Sequence, residues 1–243
     1  MPELLRDIKR FYKKEGRAHL PWRQTKNPYK ILVSEMMLQQ TQVERVIPFY
    51  KKFLKEFPAA KALANVPLSE VLRAWQGLGY NRRAKFLHQA AKVVARRGFP
   101  KTVEEIEKLP GVGHYTARAI TIFAFNKPEV CIETNIRTVF SHYFYSSVLQ
   151  KTKITKVSDA ELLPLVEEAL KKSKMQPRDF YAALMDYGTH LKQQGIKLNS
   201  RSKHYTKQSK FEGSRRQKHA AQLRKLLAHG ASEKELEKVL MYK

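Results

Sequence analysis

The sequence predicts an all-α protein, and three observations support that prediction. Almost every segment carries the start and stop residues typical of helices, and apolar residues recur at helical rather than alternating spacing. The one run of β-like character, "EVCIET", is short. We therefore predict roughly ten or more short helices and no internal repeat.

The first half of the chain divides into helices at prolines and glycines. Apolar groups over residues 30–57 lie mostly at helical spacing, and Pro48 is expected to split this stretch into two helices. "PLSEVLRAWQGLG" predicts a short helix closed by Gly77 and Gly79. "NRRAKFLHQAAKVVARRG" predicts a longer helix that ends at Gly98, the usual residue type just beyond a helix.

Capping residues mark the later helices. A hydroxyl residue followed three positions on by glutamate satisfies orphan amides at a helix start. Ser214 is expected to cap "RRQKHAAQLRKLLAH", with Gly230 beyond its end. The three capping boxes are Thr102 with Glu105, Ser158 with Glu161, and Ser232 with Glu235.

The charge balance points to a polyanionic partner. The 243 residues carry a formal net charge of +25, with a pI near 10.1. An excess of this size favours nucleic acid, although a generally basic, solvated surface is the alternative.

The single cysteine, Cys131, excludes a disulfide framework and a cysteine metal site. No signal-peptide core or membrane-length apolar run is present, so we expect a cytoplasmic protein with no membrane partner.

Basic residues dominate the region from Lys192 to Lys225, where Glu212 is the sole acid. We predict that its first part is a structured loop with Tyr205 and Phe211 as aromatic anchors, rather than a disordered basic tail. The capped helices that follow support this reading. The residues of this loop expected to face the polyanionic partner are Arg201, Lys203 and Lys207.

The stretch "LPGVGHYTARA", residues 109–119, predicts two helices joined by a tight glycine turn. Glycines permit positive φ and leave the amides of the turn uncovered, and the next helix adds its N-terminal amides. Together these donors form an anion site that a DNA phosphate can approach, although a plain inter-helix turn is the alternative. The predicted contact residues are Leu109, Gly111, Val112, Gly113 and His114.

Four motifs occur in a recognisable order: "LPWRQTKNPYKILVSEMMLQQTQVERVIPFY", "WQGLGYNRRAKFLHQAA", "LPGVGHYTARAI" and "FYAALMDYG". Over residues 20–190 the chain resembles the helix-hairpin-helix DNA glycosylase superfamily, most closely its MutY-type adenine glycosylases. The resemblance implies two helical modules with a DNA-binding cleft between them. One module would span residues 27–132, and the other would combine 1–26 with 133–243.

The resemblance implies hydrolysis of an N-glycosidic bond through an oxocarbenium-like transition state, on a nucleotide flipped out of the duplex. Glu35 in "VSEMML" matches the family's acid/base glutamate. Its apolar helix should raise its pKa, although a surface glutamate is the alternative. The expected DNA contacts are Gln39, Gln40 and Gln42, which would enter the duplex, the stacking wedge Tyr80, and the basic pair Arg82 and Arg83.

Tyr115 stands where bifunctional relatives resembling endonuclease III carry a lysine that attacks the sugar. A phenol cannot form a Schiff base. The resemblance therefore implies a monofunctional glycosylase without strong AP-lyase activity.

Glu133 is a departure from the family pattern, which places a catalytic aspartate here. Glutamate keeps the charge but moves it one methylene further out, and catalytic geometry is sensitive to shifts of about 1 Å. We expect a catalytic role facing Glu35, with Asn135 orienting the water. Alternatively, Thr134 is the N-cap and Glu133 only precedes the helix, which would suit a degenerate, lesion-binding protein.

Cofactors and substrate follow from two further departures. The region after "MDYG" has no cysteine, so we expect the family's iron–sulfur cluster to be absent and the basic loop to fill its volume. No metal is needed, although the hairpin carbonyls could hold an alkali ion. The two short helices expected after Ser214 are too little for the family's domain that reads 8-oxoguanine, so we expect that contact to be missing or built elsewhere. Adenine in a mismatch is the first choice of base, with thymine, uracil or hypoxanthine as alternatives. We expect a monomer acting on duplex DNA, associated with the nucleoid if prokaryotic.

Overall fold

The computed structural model describes residues 1–145, 156–196, 198–203, 205 and 210–241. These parts contain thirteen α-helices and no strand, apart from an isolated bridge between Val157 and Ser202. The all-α prediction is confirmed. Within the same residues, none of the helices has the length and apolarity that crossing a bilayer requires.

The helices follow the chain in a simple order, interrupted by 3₁₀ turns at Pro21–Arg23 and Leu198–Arg201 and a π-helical turn at Ser141–Tyr145. Their bounds are α1 Pro2–Glu15, α2 Pro28–Leu38, α3 Val43–Glu56, α4 Ala60–Ala64, α5 Leu68–Trp75, α6 Arg82–Arg97, α7 Val103–Glu107, α8 His114–Phe125, α9 Thr134–Phe140, α10 Asp159–Ser173, α11 Pro177–Gln193, α12 Arg215–Ala228 and α13 Glu233–Met241.

Two compact units emerge from the pattern of contacts. The hairpin unit contains Leu20–Ile120 and Gln208–Lys243, and the terminal unit contains Met1–His19 and Thr121–Lys207. The sequence-based modules had other limits, because they grouped residues 208–243 with the N-terminal helix. The contacts group them with the hairpin unit, since Leu236 and Val239 of α13 are buried where that helix packs on α5 and α6.

The core of the hairpin unit is built from apolar faces of α2, α3, α5 and α6. Phe53 and Trp75 are fully buried and meet edge to face, with ring centroids 5.8 Å apart. The terminal unit has its own core, in which α11 packs on both α1 and α9. Leu4, Phe140 and Phe180 are completely enclosed there. Each unit therefore buries enough apolar surface to fix its own site residues.

Pro48 does not divide residues 30–57, so that prediction is wrong. It lies inside α3, and the break falls at residues 39–42 instead. Gln40 adopts a left-handed backbone conformation with φ 55°, and Gln42 is the N-cap of α3. A proline soon after the first turn removes one backbone hydrogen bond without ending the helix when packing holds both sides.

The predicted caps are present. Thr102 accepts a hydrogen bond from the Glu105 N–H, and Ser214 accepts one from the Gln217 N–H. The pair Ser158 and Glu161 forms a complete capping box. These local bonds fix where each helix begins, and hence the direction in which the chain enters the site segments.

Candidate active site

Glu35 occupies a distinctive position on α2. From Ile31 to Met37 every residue is buried except Glu35, which is half-buried. The helix starts at Asn27, whose side chain accepts a hydrogen bond from the Lys30 N–H, and Pro28 follows as its first residue. An ionisable group that is partly accessible within a buried apolar stretch is positioned for proton transfer to a bound molecule.

The end of α2 is held by a buried arginine. Arg83 donates from one guanidinium nitrogen to the carbonyls of Met36 at 2.9 Å, Met37 at 2.7 Å and Gln39 at 2.5 Å. Its other terminal nitrogen reaches the Gly79 carbonyl at 3.0 Å. The last carbonyls of a helix lack partners within the helix, and a cation there also complements the helix dipole.

These bonds change the interpretation of Arg83. Its side chain is enclosed, and burial lowers the pKa of the guanidinium to about 10. Arg83 therefore cannot reach a DNA phosphate without abandoning α2, and the prediction of a DNA contact is corrected to a structural role. The adjacent Arg82 is exposed and lies over the Phe86 ring at 5.2 Å, and its contact with DNA stays a prediction.

Tyr80 is held between two arginines. Its backbone is left-handed, with φ 50°, and its ring centroid lies 5.2 Å from the guanidinium carbons of both Arg83 and Arg216. Arg216 of α12 also donates to the Tyr80 hydroxyl at 2.5 Å. The Tyr80 ring is half-buried, whereas the alternative interpretation expected an exposed loop tyrosine.

The glutamine turn nearby is more accessible. Gln39 is half-buried, and Gln40 and Gln42 are exposed, as DNA-contacting side chains require.

The glycine hairpin forms between α7 and α8. Gly111 has φ 76°, and a Cβ atom there would lie 2.4 Å from the Phe86 Cβ and 2.9 Å from the Met36 Cε. Glycine is therefore required for both backbone conformation and close packing against α2 and α6. Gly113 differs, because its φ is not positive and a Cβ atom would meet open space.

The hairpin amides are only partly available. The Val112 N–H donates to the Leu109 carbonyl at 3.1 Å, and both side chains are buried. That corrects the expectation for Val112, whose amide is occupied, and leaves Leu109 only main-chain atoms to offer. Among the described residues, the Gly113 and His114 N–H groups make no backbone hydrogen bond. These two exposed amides are the candidate phosphate donors.

The first turn of α8 places Tyr115 beside these amides, where it is half-buried. His114 is exposed and its ring lies against Arg118, with the arginine nitrogen 2.8 Å from Nδ1. Glu107 approaches the same ring nitrogen at 3.4 Å. The surface of the hairpin thus carries an arginine and a histidine around two exposed amides.

Glu133 is the N-cap of α9. The alternative prediction, in which Thr134 is the N-cap, is wrong. Its Oε1 accepts from the N–H groups of Asn135 at 2.7 Å and Ile136 at 3.0 Å. Its Oε2 accepts from the Thr134 hydroxyl at 2.9 Å and the Asn135 amide at 3.2 Å. The longer glutamate side chain therefore folds back onto its own helix start, and the carboxylate is held in one place.

Lys192, on α11, connects the Asn135 side chain beside this carboxylate to the segment after α11. Its Nζ donates to the Asn135 Oδ1 at 2.7 Å. With its amide turned so that every atom has a partner, Asn199 accepts from Lys192 at 3.3 Å and donates to the Thr134 carbonyl at 2.9 Å. Burial lowers the pKa of Lys192, whereas the nearby Glu133 carboxylate raises it. Asn135 thus bridges Glu133 and Lys192, which fixes the amide expected to orient water.

The extended segment before Glu133 is positioned by α11. Tyr181 donates to the Glu129 carbonyl at 2.8 Å and accepts from the Cys131 N–H at 3.2 Å. Gly188 lets the helices approach, because a Cβ atom there would lie 2.5 Å from the Asn135 carbonyl oxygen. The motif "FYAALMDYG" therefore acts on the site by supporting the start of α9.

The basic loop after α11 is not held by aromatic anchors, so that prediction is wrong. Tyr205 is 47% exposed and Phe211 52% exposed. Backbone hydrogen bonds hold the loop instead: the Val157 N–H donates to the Arg201 carbonyl, and the Lys203 N–H donates to the Val157 carbonyl. The side chains of Arg201 and Lys203 are exposed, as expected, whereas Lys207 lies outside the described residues.

The residues present do not fit an iron–sulfur cluster. Such clusters are held by several cysteine thiolates. The chain has one cysteine, Cys131, which is 4% exposed and lies before α9 rather than after α11.

Sequence reasoning missed three residues that shape these sites. Arg216 was read only as part of a basic run, and Lys192 only as its start. Gly188 carried a usable signal, because a glycine inside a helical pattern indicates close approach of another backbone. No pattern in the sequence could have paired Arg216 with Tyr80, which lies 136 positions away.

Comparison with known proteins places the fold in context. Residues 33–164 match the family model described as HhH-GPD superfamily base excision DNA repair protein. An adenine DNA glycosylase of Buchnera aphidicola subsp. Baizongia pistaciae is 44% identical over 147 residues, covering 59% of this chain and 42% of the relative. One from Mycobacterium tuberculosis (strain ATCC 25618 / H37Rv) is 38% identical over 178 residues, covering 71% and 57%. The chain thus spans only about half the length of these relatives.

Two solved structures share the architecture. A thermostable thymine-DNA glycosylase superposes with a TM-score of 0.65 at 30% identity, covering 77% of this chain and 85% of that one. Endonuclease III in a non-covalent complex with DNA gives a TM-score of 0.57 at 18% identity, covering 78% and 83%. The second likeness concerns the fold alone. Together they confirm the predicted helix-hairpin-helix glycosylase fold.

Proposed function

Because the chain belongs to the HhH-GPD superfamily of base excision DNA repair proteins, we propose that it is a monofunctional DNA glycosylase. The proposed reaction hydrolyses the N-glycosidic bond of adenine in a mismatched duplex. The observation that carries the proposal is Glu35, the one partly accessible residue in an otherwise buried stretch of α2. The relatives named adenine DNA glycosylase support adenine as the base.

In the proposed mechanism the two carboxyl groups have different tasks. Glu35 donates a proton to the leaving base as the bond to C1′ breaks and its electron pair moves onto the base nitrogen. The Glu133 carboxylate, fixed by four hydrogen-bond donors, stabilises the cationic sugar. Water then adds to C1′ and releases a proton, leaving free adenine and an abasic site.

Tyr115 supports the monofunctional part of the proposal. An AP lyase of this kind needs an amine that condenses with the sugar aldehyde. The first turn of α8 offers a phenol at this position. The abasic site is therefore the expected product, with the strand intact until alkali cleaves it.

The partner in this proposal is duplex DNA bound by a monomer. The exposed Gly113 and His114 amides are the proposed donors to one phosphate. Exposed Arg82, Arg201 and Lys203 add positive charge at the surface. A DNA substrate would place the protein at the chromosome, in keeping with the sequence-based expectation of a cytoplasmic protein that is nucleoid-associated if prokaryotic.

A duplex oligonucleotide panel tests the proposal. Single adenine, thymine, uracil or hypoxanthine residues are placed opposite each ordinary base and 8-oxoguanine, and products are run with and without hot alkali. We expect alkali-dependent cleavage at adenine and little cleavage without alkali. Cleavage at thymine opposite guanine would favour the activity named for the similar thermostable structure. Absence of product at every base would contradict the proposal.

A further inference from the structure

A broad groove of about 960 Å³ lies within the hairpin unit. One side is formed by the turns at residues 39–42 and 77–83, together with Phe86 and Gly111. The other side is one face of α12, which we call the α12 wall. Its residues recur at helical spacing: Arg216, His219, Ala220, Leu223, Arg224 and Leu227.

The groove is strongly basic. Its described lining includes five arginines and no aspartate or glutamate. Arg83 is used inside the fold, but Arg82 and Arg224 are exposed at the two sides. Polyanions are the partners that such a concentration of positive charge attracts.

The α12 wall is a fixed part of the unit. Leu223 and Leu227 are buried, and Arg73 of α5 donates to the Leu227 carbonyl at 3.0 Å. The next helix, α13, is attached through Glu233, which accepts from the Leu68 N–H at 3.1 Å. Glu237 of α13 pairs with Lys85 at 3.1 Å, and that lysine is largely buried. The basic face is thus presented by a docked helix rather than by a loose tail.

The wall also touches a residue expected to contact DNA. Arg216 donates to the Tyr80 hydroxyl, and its guanidinium lies over the Tyr80 ring. Gln39, Gln40 and Gln42 line the facing side of the same groove. A strand lying between the two sides would therefore contact α12 and the glutamine turn together.

We propose that the α12 wall is an additional DNA-binding surface, in which Arg216 and Arg224 contact the phosphates of duplex DNA. This surface lies outside residues 33–164, which match the family model, so the family match does not assign it. The proposal rests on the proposed function for the identity of the polyanion. The charge of the groove and its glutamine-lined side fit a nucleic-acid backbone.

A matched pair of double variants tests the proposal. R216Q/R224Q removes two positive charges from the wall, and R215Q/K225Q removes two from α12 residues that do not line the groove. Binding of the full chain to a short undamaged duplex is measured by fluorescence anisotropy over a range of NaCl concentrations. Two lost phosphate contacts should reduce the magnitude of the negative slope of log K against log salt by about 2, with affinity about tenfold weaker at moderate salt.

The control should keep a slope close to that of the wild type. An equal loss in both double variants would mean that only net charge matters, and it would overturn the proposal. Unchanged binding by R216Q/R224Q would also overturn it, as would a preference of the groove for an acidic peptide over DNA. If R216Q/R224Q melts early, the single variant R224Q decides between the same outcomes, because Arg224 is exposed.

The test is separate from that of the proposed function. Binding to undamaged DNA requires no excision, so a protein that removes no base can still show the difference between the two faces. Conversely, excision of adenine by the wild type combined with equal slopes would retain the glycosylase and remove the α12 wall.

Discussion

The two candidate catalytic carboxyl groups lie in contrasting surroundings. Glu35 projects from the last third of α2, between buried residues, and Arg83 holds the end of that helix directly after it. Glu133 stands at the start of α9, where backbone amides and two neighbouring side chains bind both of its oxygens. Apolar neighbours surround the Glu35 carboxyl group, whereas hydrogen-bond donors hold the Glu133 carboxylate.

This difference indicates a division of labour. A carboxyl group in apolar surroundings can hold and pass a proton, whereas a carboxylate fixed by several donors is preorganised to remain an anion in one position. The same difference also predicts how each site should fail, because removing Glu35 affects chemistry whereas removing Glu133 affects both chemistry and a helix cap.

The largest expected effect is that of Glu35→Gln. Glutamine keeps the shape but cannot act as the acid, so single-turnover excision of adenine should fall about a thousandfold, within the range for a lost general acid. Affinity for the substrate duplex should be retained. Glu44→Gln, at an exposed position of α3, is the matched control and should excise normally. Excision by Glu35→Gln near the wild-type rate would refute the proton-donor role.

Next in size is the loss of support behind Glu35. Arg83→Gln leaves three carbonyls at the end of α2 without their donor, so the free energy of unfolding should fall by about 3 kcal/mol. Urea denaturation measures this change. Arg82→Gln, at the neighbouring exposed position, should leave stability within about 0.5 kcal/mol and weaken DNA binding instead. The reverse result would restore Arg83 as a DNA contact.

Substitutions of Glu133 should have two separable effects, one on excision and one on stability. Glu133→Gln keeps an acceptor for the helix amides, so stability should change little while excision slows by up to about a hundredfold. Glu133→Ala should add a loss of about 1 kcal/mol of stability, because the cap is gone. Thermal melting and single-turnover kinetics on the same samples distinguish the two effects.

Aspartate at the same position separates an active site from a degenerate one. Glu133→Asp retains the charge and a favoured N-cap residue. If the remaining site is competent, excision should rise or appear. No excision by either form would instead support a protein that only binds lesions.

The smallest expected effect concerns Lys192. The Glu133 carboxylate raises the pKa of this half-buried amine against the lowering effect of burial. Glu133→Gln removes the negative charge, so the pKa of Lys192 should fall further below its usual value of 10.5. NMR titration of the lysine Cε measures the change, with exposed Lys171 as an internal control. A rise would mean that Glu133 does not act on this amine.

Much of the hairpin unit was predictable because its signals are local. The glycine turn, the caps at Thr102 and Ser214, and the apolar surroundings of Glu35 all depend on residues a few positions apart. Predictions failed where distant packing decided the outcome. Pro48 stayed inside α3, and Phe211 remained exposed although aromatic residues usually anchor loops.

The sequence by itself determined an all-helical, strongly basic chain with a glycine hairpin and a glutamate among apolar residues, because helix spacing, capping and net charge are local or additive properties. Only the tertiary structure decided that Arg83 is internal, that Lys192 reaches Asn135, and that Arg216 meets Tyr80. Each of those outcomes depends on which helix faces pack together, and packing brings into contact residues that the chain separates by dozens of positions.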